Sequence, residues 1–184
     1  PRLVEAWNYR ELLMFLAWRD VTVRYKQTAL GVLWAILQPV LTMGIFALIF
    51  GRLAAVPTDG VPYPLFAFCG LLPWQLFSFA LGASANSLVV NERLVTKVYF
   101  PRIVLPLASV VAGLVDFALA FVFLVGLMYY YGVTLTAAIL TLPLFVLMTV
   151  VAATSVGILL SAVNVQFRDV KHALPFLTQI WMLA

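Results

Sequence analysis

Asp116 is the one carboxylate inside a long apolar run, Ile103–Tyr131, that carries no other charge. A charged side chain at the centre of a lipid-embedded helix costs about 2.5–3.5 kcal/mol on insertion scales, so it must face protein or water. Two chemistries suit it. It could handle a proton or a substrate, or it could hydrogen-bond neighbouring helices as a structural group, in protonated form if needed. It follows Arg102 by 14 residues, about 21 Å along a helix, which predicts a position near the bilayer centre.

The other reactive types assemble no catalytic or metal site. His172 stands alone beside Lys171 and reads as an interfacial residue. Cys69 is the sole cysteine, which excludes an internal disulfide and a multi-cysteine metal site. No His, Cys and Glu cluster has metal-ligand spacing. No G-x-x-x-x-G-K-[ST] run occurs, so ATP binding of the Walker kind is not expected in this chain. Without paired acid–base residues at one membrane face, the expectation is a protein that is not itself an enzyme.

Aromatic residues offer a different chemistry. Trp34, Phe46, Phe50, Phe66, Phe68, Trp74, Phe77 and Phe79 crowd two apolar runs. Sugar rings stack on aromatic faces, so a glycan conduit is one use; interfacial belts and lipid packing are another. Trp34, Gln38 and Thr42 recur at helical spacing. With Phe46 and Phe77 they are the candidate wall of a solute path. Arg19, Arg24 and Lys26 precede the first run and could attract an anionic headgroup, although topology-setting charge explains them equally well.

These residues need apolar elements to position them. The chain has 184 residues, 65% hydrophobic and 10% charged, against about 45–50% and about 25% in soluble domains. Mean hydropathy is +1.09. Lipid is the solvent that suits this composition. A helical span needs about 20 apolar residues. The charge-free runs predict spans at 31–50, 63–83, 103–131 and 137–163, and the start of a fifth at 173–184. A break at Tyr131-Gly132-Val133-Thr134 separates the third from the fourth. The runs do not alternate in polarity, so they are helices and not barrel strands. The fold class is an all-α polytopic bundle in one membrane domain, 1–184, continuing beyond this chain. The first 26 residues carry eight charges, unlike a cleavable signal peptide.

The net charge of +4 comes from basic residues that flank apolar runs, which points to topology and not to nucleic acid. Ten of the eleven Lys and Arg residues fall on alternate loops, the side of the N-terminus; only Arg52 falls on the other. The positive-inside rule therefore predicts a cytoplasmic N-terminus.

Two polar segments stand out. Residues 1–27 include a stripe of Met14, Trp18, Val21 and Tyr25 on one helix face, with Asp20 four residues before Arg24. This predicts an amphipathic helix in the inner interface, or a plain helix packed on its own protein. In the loop 86–102, Asn91 is positioned to cap a short helix through Val98. Leu94 and Val98 would form its apolar side; Glu92, Arg93 and Lys97 its polar side. Such a helix could dock into a partner's groove, or the loop could be a simple anchored return.

At this point a resemblance appears. Leu30-Gly31-Val32-Leu33-Trp34-Ala35-Ile36-Leu37-Gln38-Pro39 resembles the first-span signature of type-2 ABC export permeases of the polysaccharide class. Arg19-Asp20-Val21 and Arg24-Tyr25-Lys26 are similar to the segment before it. Lys97-Val98-Tyr99-Phe100-Pro101-Arg102 with Leu105-Pro106 resembles the loop and start of the third span. Phe167-Arg168-Asp169-Val170 with Leu174-Pro175 resembles the loop between the fourth and fifth. Each piece is weak alone; four in order at suitable spacing are specific.

The resemblance implies a homodimer of six-span subunits in the bacterial inner membrane, joined by two separate ATP-binding cassette subunits. ATP and Mg belong to those partners, and this chain itself carries no cofactor. It implies export of a lipid-linked glycan such as O-antigen, teichoic acid or capsule, often on undecaprenyl diphosphate. It implies that Asn91, Glu92, Arg93, Leu94, Val95, Lys97 and Val98 form the coupling helix, with Arg168 and Asp169 as a second cytoplasmic contact. ATP-driven export needs no proton relay, which favours the structural reading of Asp116. An exporter of drugs or other small hydrophobic molecules on the same fold is the alternative.

Overall fold

The computed structural model describes residues 9–26, 33–53, 58, 60–134, 136–167 and 169–183. Among these there is no strand. The helices are α1 (Arg10–Lys26), α2 (Trp34–Phe46), α3 (Tyr63–Val90), α4 (Glu92–Lys97), α5 (Val104–Tyr130), α6 (Leu142–Gln166) and α7 (Val170–Leu183). A π-helical turn, Ala47–Leu53, extends α2, and a 3-10 turn, Ala137–Thr141, leads into α6. Four stretches are long and apolar enough to cross a bilayer: Trp34–Gly51, Tyr63–Val90, Val104–Tyr130 and Ile139–Gln166.

Long α3 is the centre of the bundle. It runs antiparallel to α5: Leu65, Phe68 and Leu72 pack on Ala120 and Leu124, while Ala80 and Leu81 pack on Val110. Against α6 the contact is made by small residues. An added Cβ on Gly157 would lie 2.4 Å from the Ser84 Cβ, so the two backbones have closed to the limit that glycine allows. Ala153 joins the same seam. Lipid supplies no hydrophobic drive between helices, so such close approach by small residues is how spans associate. Buried Asn164 seals it by donating to the Ala85 carbonyl at 3.1 Å and Asn86 Oδ1 at 3.0 Å.

This seam explains why α3 runs to Val90 and not to 83. The Ser87 and Asn86 side chains satisfy themselves on the helix, Ser87 on the Ser84 carbonyl at 2.7 Å and Asn86 on the Gly82 carbonyl at 2.9 Å, while buried Ser84 Oγ has no hydrogen-bond partner among the described residues. At the other end of α5, the break at Tyr131–Thr134 is a helix terminus. Gly132 adopts φ +69°, a left-handed conformation that glycine takes without strain, and Val133 donates back to the Met128 carbonyl.

The face on which α1 packs differs from the predicted stripe. Buried Leu16 and Ala17 meet Val104, Leu105 and Ala108 of α5. Met14 and Trp18 are 65% and 73% exposed and point away from the bundle, with Phe15 beside them. Met14 and Trp18 are therefore left facing outward, whereas Tyr25 of the same stripe turns to Asp116 of α5. Residue 16 meets residues 104–108 and residue 24 meets residue 116, so α1 runs parallel to the first half of α5.

Candidate functional site

The polar centre of the molecule is where α1 ends on α5. Arg24 Nη1 donates to Asp116 Oδ2, and the Tyr25 hydroxyl donates to Asp116 Oδ1. The Arg24 guanidinium also lies over the Phe79 ring, 4.4 Å from its centroid, a cation–π contact. Phe79 can reach this place because residue 113 is glycine; a Cβ there would stand 2.4 Å from the ring. Burial, and then the carboxylate it donates to, push the Tyr25 phenol well above its ordinary value.

Asp116, Phe79 and Gly113 form one wall of a cavity of about 370 Å3 enclosed by α2, α3, α5 and α7. α2 contributes Trp34 and Gln38. α3 contributes Gln75, Ser78, Gly82 and Asn86, and α7 contributes Thr178. Ser78 Oγ is buried and has no hydrogen-bond partner among the described residues. The cavity thus combines an indole face, planar amides, a hydroxyl without a partner among the described residues and a carboxylate paired with Arg24. A second cavity, about 310 Å3, opens between α3, α5 and α6 beside Cys69 and is lined almost wholly by apolar side chains such as Leu76, Phe117 and Phe145.

Of the five residues predicted for a solute path, Trp34 and Gln38 line the polar cavity. Thr42, Phe46 and Phe77 do not. The Thr42 hydroxyl donates to the Gln38 carbonyl at 3.0 Å. Phe46, at the end of α2, meets the Phe50 ring of the π-helical turn at a tilt. Phe77 lies on the opposite side of α3, between Trp74 and Trp181. Gln75, Ser78 and Asn86 escaped the sequence reading, yet 75, 78, 82 and 86 follow helical spacing and mark one polar face inside an apolar run. That periodicity was the available signal.

Two of the three predicted headgroup residues are engaged with carboxylates. Arg19 Nη2 donates to Asp20 Oδ1 at 2.8 Å, and Arg24 pairs with Asp116. Together with Asn91, Ser87 and Ser109 they border a groove between α1 and α3. Lys26 ends α1 and is exposed.

The predicted short helix is α4. Asn91 precedes it, and its carbonyl accepts from Leu94 and Val95 at 2.9 and 3.1 Å. Its side chain does not cap the helix. Nδ2 donates to the Ser87 carbonyl at 2.9 Å, while Oδ1 accepts from Arg19 Nη2 at 2.8 Å. Leu94 and Val95 pack on the α1–α5 cluster. Val98, predicted for that apolar side, is 56% exposed; Tyr99 is 97% exposed, beside exposed Glu92, Arg93 and Lys97. Asp169 accepts backbone bonds from His172 and Ala173 at the start of α7, both at 3.0 Å. Arg168 lies outside the described residues.

Comparison with known proteins adds to this geometry. A family model described as ABC-2 type transporter matches residues 11–184. The O-antigen export system permease protein RfbA of Myxococcus xanthus is 37% identical over 185 residues, which cover 100% of this chain and 70% of that protein. The protein of the same name from Klebsiella pneumoniae is 32% identical over 163 residues, covering 88% and 62%. The polysialic acid transport protein KpsM of Escherichia coli is 26% identical over 167 residues, covering 86% and 62%. This chain spans 62% to 70% of the length of these relatives.

Proposed function

This chain belongs to the ABC-2 type transporter family, and from that premise we propose that it is the membrane-spanning permease subunit of an ATP-driven exporter of lipid-linked polysaccharide. In this reading the substrate crosses the bacterial inner membrane from the cytoplasmic side outward. The carrying observation is the polar cavity, with Trp34, Gln38, Gln75 and Ser78 on its walls, inside a largely apolar bundle. An indole face accepts the apolar face of a sugar ring, and planar amides and hydroxyls match its hydroxyl groups. Relatives named for O-antigen export and polysialic acid transport support the same substrate class.

The work is done elsewhere. This sequence has no P-loop, so ATP and Mg bind a cassette partner, and the exposed row Glu92, Arg93, Lys97, Val98 and Tyr99 is the surface offered to it. Its mixed charge and apolar tip suit a groove with a polar rim. Lys and Arg fall almost wholly on the loops of the α4 side, which orients that surface to the cytoplasm. Two copies of the subunit pair around the substrate. An anionic carrier headgroup that reached the α1–α3 groove would compete with Asp20 and Asp116 for the two arginines. The apolar cavity beside Cys69 favours the second reading, export of a small hydrophobic molecule.

The deciding experiment deletes the gene and follows carrier-linked glycan. Glycan trapped on the inner leaflet is the expected result. Unchanged surface glycan, in a strain with no second exporter, refutes the substrate assignment.

A further inference from the structure

Helix α1 touches both the surface offered to the ATPase and the wall of the cavity. Arg19 Nη2 donates to Asn91 Oδ1 at 2.8 Å, and Asn91 is the residue from which α4 starts. Five residues on, Arg24 holds Asp116 and covers Phe79, both of which line the cavity. Five helical residues span about 7.5 Å of stiff backbone. Leu94 and Val95 of α4 also share one apolar cluster with Leu16 and Ala17 of α1.

A displacement of α4 has two routes into the bundle. One runs straight up α3, since the Asn91 amide donates to the Ser87 carbonyl at 3.2 Å. That end of α3 is locked on α6 by the Gly157–Ser84 approach and by Asn164 on Ala85 and Asn86. The other route crosses to α1, which holds α4 by one side-chain bond and an apolar contact. Here the chemistry allows two discrete arrangements. Arg19 Nη2 serves Asp20 Oδ1 and Asn91 Oδ1 at the same 2.8 Å. If α4 withdraws, Arg19 loses Asn91 and keeps Asp20, so its charge is never left without a counter-charge. A link that breaks and reforms at low cost is what a two-state element needs.

We infer that α1 is a relay: movement of α4 during nucleotide turnover reaches Asp116 and Phe79 in the cavity wall through Arg19 and Arg24. This rests on the reading of α4 as the ATPase contact.

Hydrogen exchange on the complete subunit with its ATPase in nanodiscs tests it, comparing nucleotide-free and vanadate-trapped states. In the unsubstituted complex, exchange should change by about threefold or more in 91–98, in 10–26 and in 108–120. Arg19→Met should keep the change at 91–98 and lose it in the other two segments. Asn91→Ala, which leaves α1 untouched, should give the same pattern. Arg24→Met should keep the change at 91–98 and 10–20 and lose it only at 108–120. A change at 108–120 that survives both Arg19→Met and Asn91→Ala overturns the relay, because the motion then travels along α3. No change at 91–98 in the unsubstituted complex sinks the ATPase contact and the relay together, which separates the two failures.

Discussion

Deleting one member of the Arg24–Asp116 pair should cost more than deleting both. The two side chains keep 34% and 27% of their surface, so the pair lies between two limits. Breaking a fully buried pair costs about 3–5 kcal/mol, because one charge is left unpaired. An exposed pair contributes about 0.2–1 kcal/mol. Asp116→Leu leaves the Arg24 cation beside an apolar span and removes the acceptor of Tyr25 as well. Phe79, 4.4 Å away, still offers the cation about 0.5–1 kcal/mol. The expected loss is therefore about 2–3 kcal/mol, partway to the buried limit. Arg24→Met leaves Asp116 with the bond from Tyr25 and should cost about 1–2 kcal/mol. The double substitution leaves no charge and should fall within about 1 kcal/mol of the parent protein. The coupling energy is then about 2–5 kcal/mol, on the order of 30-fold or more in the unfolding equilibrium. Unfolding of the subunit in bicelles, run on the parent, both single variants and the double variant, measures it. Effects that add within about 0.5 kcal/mol would show that the two side chains do not interact, and that α1 is not held on α5 through them.

Gly157→Ala places a Cβ 2.4 Å from the Ser84 Cβ and 3.3 Å from the Leu81 carbonyl oxygen, and should cost about 1–3 kcal/mol in the same unfolding assay. Adding Ser84→Gly removes the nearer atom and should recover more than half. Reversing charge on the α4 surface, Glu92→Lys or Arg93→Glu, should lower export per ATP hydrolysed about tenfold in proteoliposomes. Intact export in both would argue against 91–98 as the ATPase contact. Trp34→Ala and Gln75→Ala, in the cavity wall, should lower export severalfold with basal ATP hydrolysis unchanged. Phe77→Ala, on the far side of α3, should change it much less, and equal loss in all three would remove the cavity's claim to the substrate.

What could be read in the sequence was whatever a single helix decides for itself. Long runs without charge mark the apolar helices, and Gly132 marks an end that needs a positive φ. Less legible was the direction in which each face points. At 100° per residue, Phe77 stands about 200° round from Gln75, so a residue chosen for its aromatic ring alone fell on the far side of α3. The Met14–Trp18 stripe raised a similar ambiguity. In lipid an apolar stripe need not face protein, and here Leu16 and Ala17 do. Pairing across the chain left no local trace at all. Arg24 and Asp116 are 92 residues apart, and Asn91, a plausible cap by residue type, instead joins Arg19, 72 residues away.

The pairing also revises the depth of Asp116. α5 has 27 residues, about 40 Å of helix, against about 30 Å of hydrocarbon, so it overshoots the bilayer. Tyr129 and Tyr130 are 90% and 79% exposed at one end of it, as residues of an interfacial belt are. With that end set at the far interface, Asp116 lies about 21 Å below it, roughly two-thirds of the way across and not at the centre. Only about 9 Å of hydrocarbon then separates it from the near interface, a distance that α1 covers with Leu16, Ala17 and finally Arg24. A carboxylate at this level meets a cation delivered from the headgroup side. The polar cavity reaches this level, with Asp116 in its wall and Trp34 at the start of α2 on the facing side.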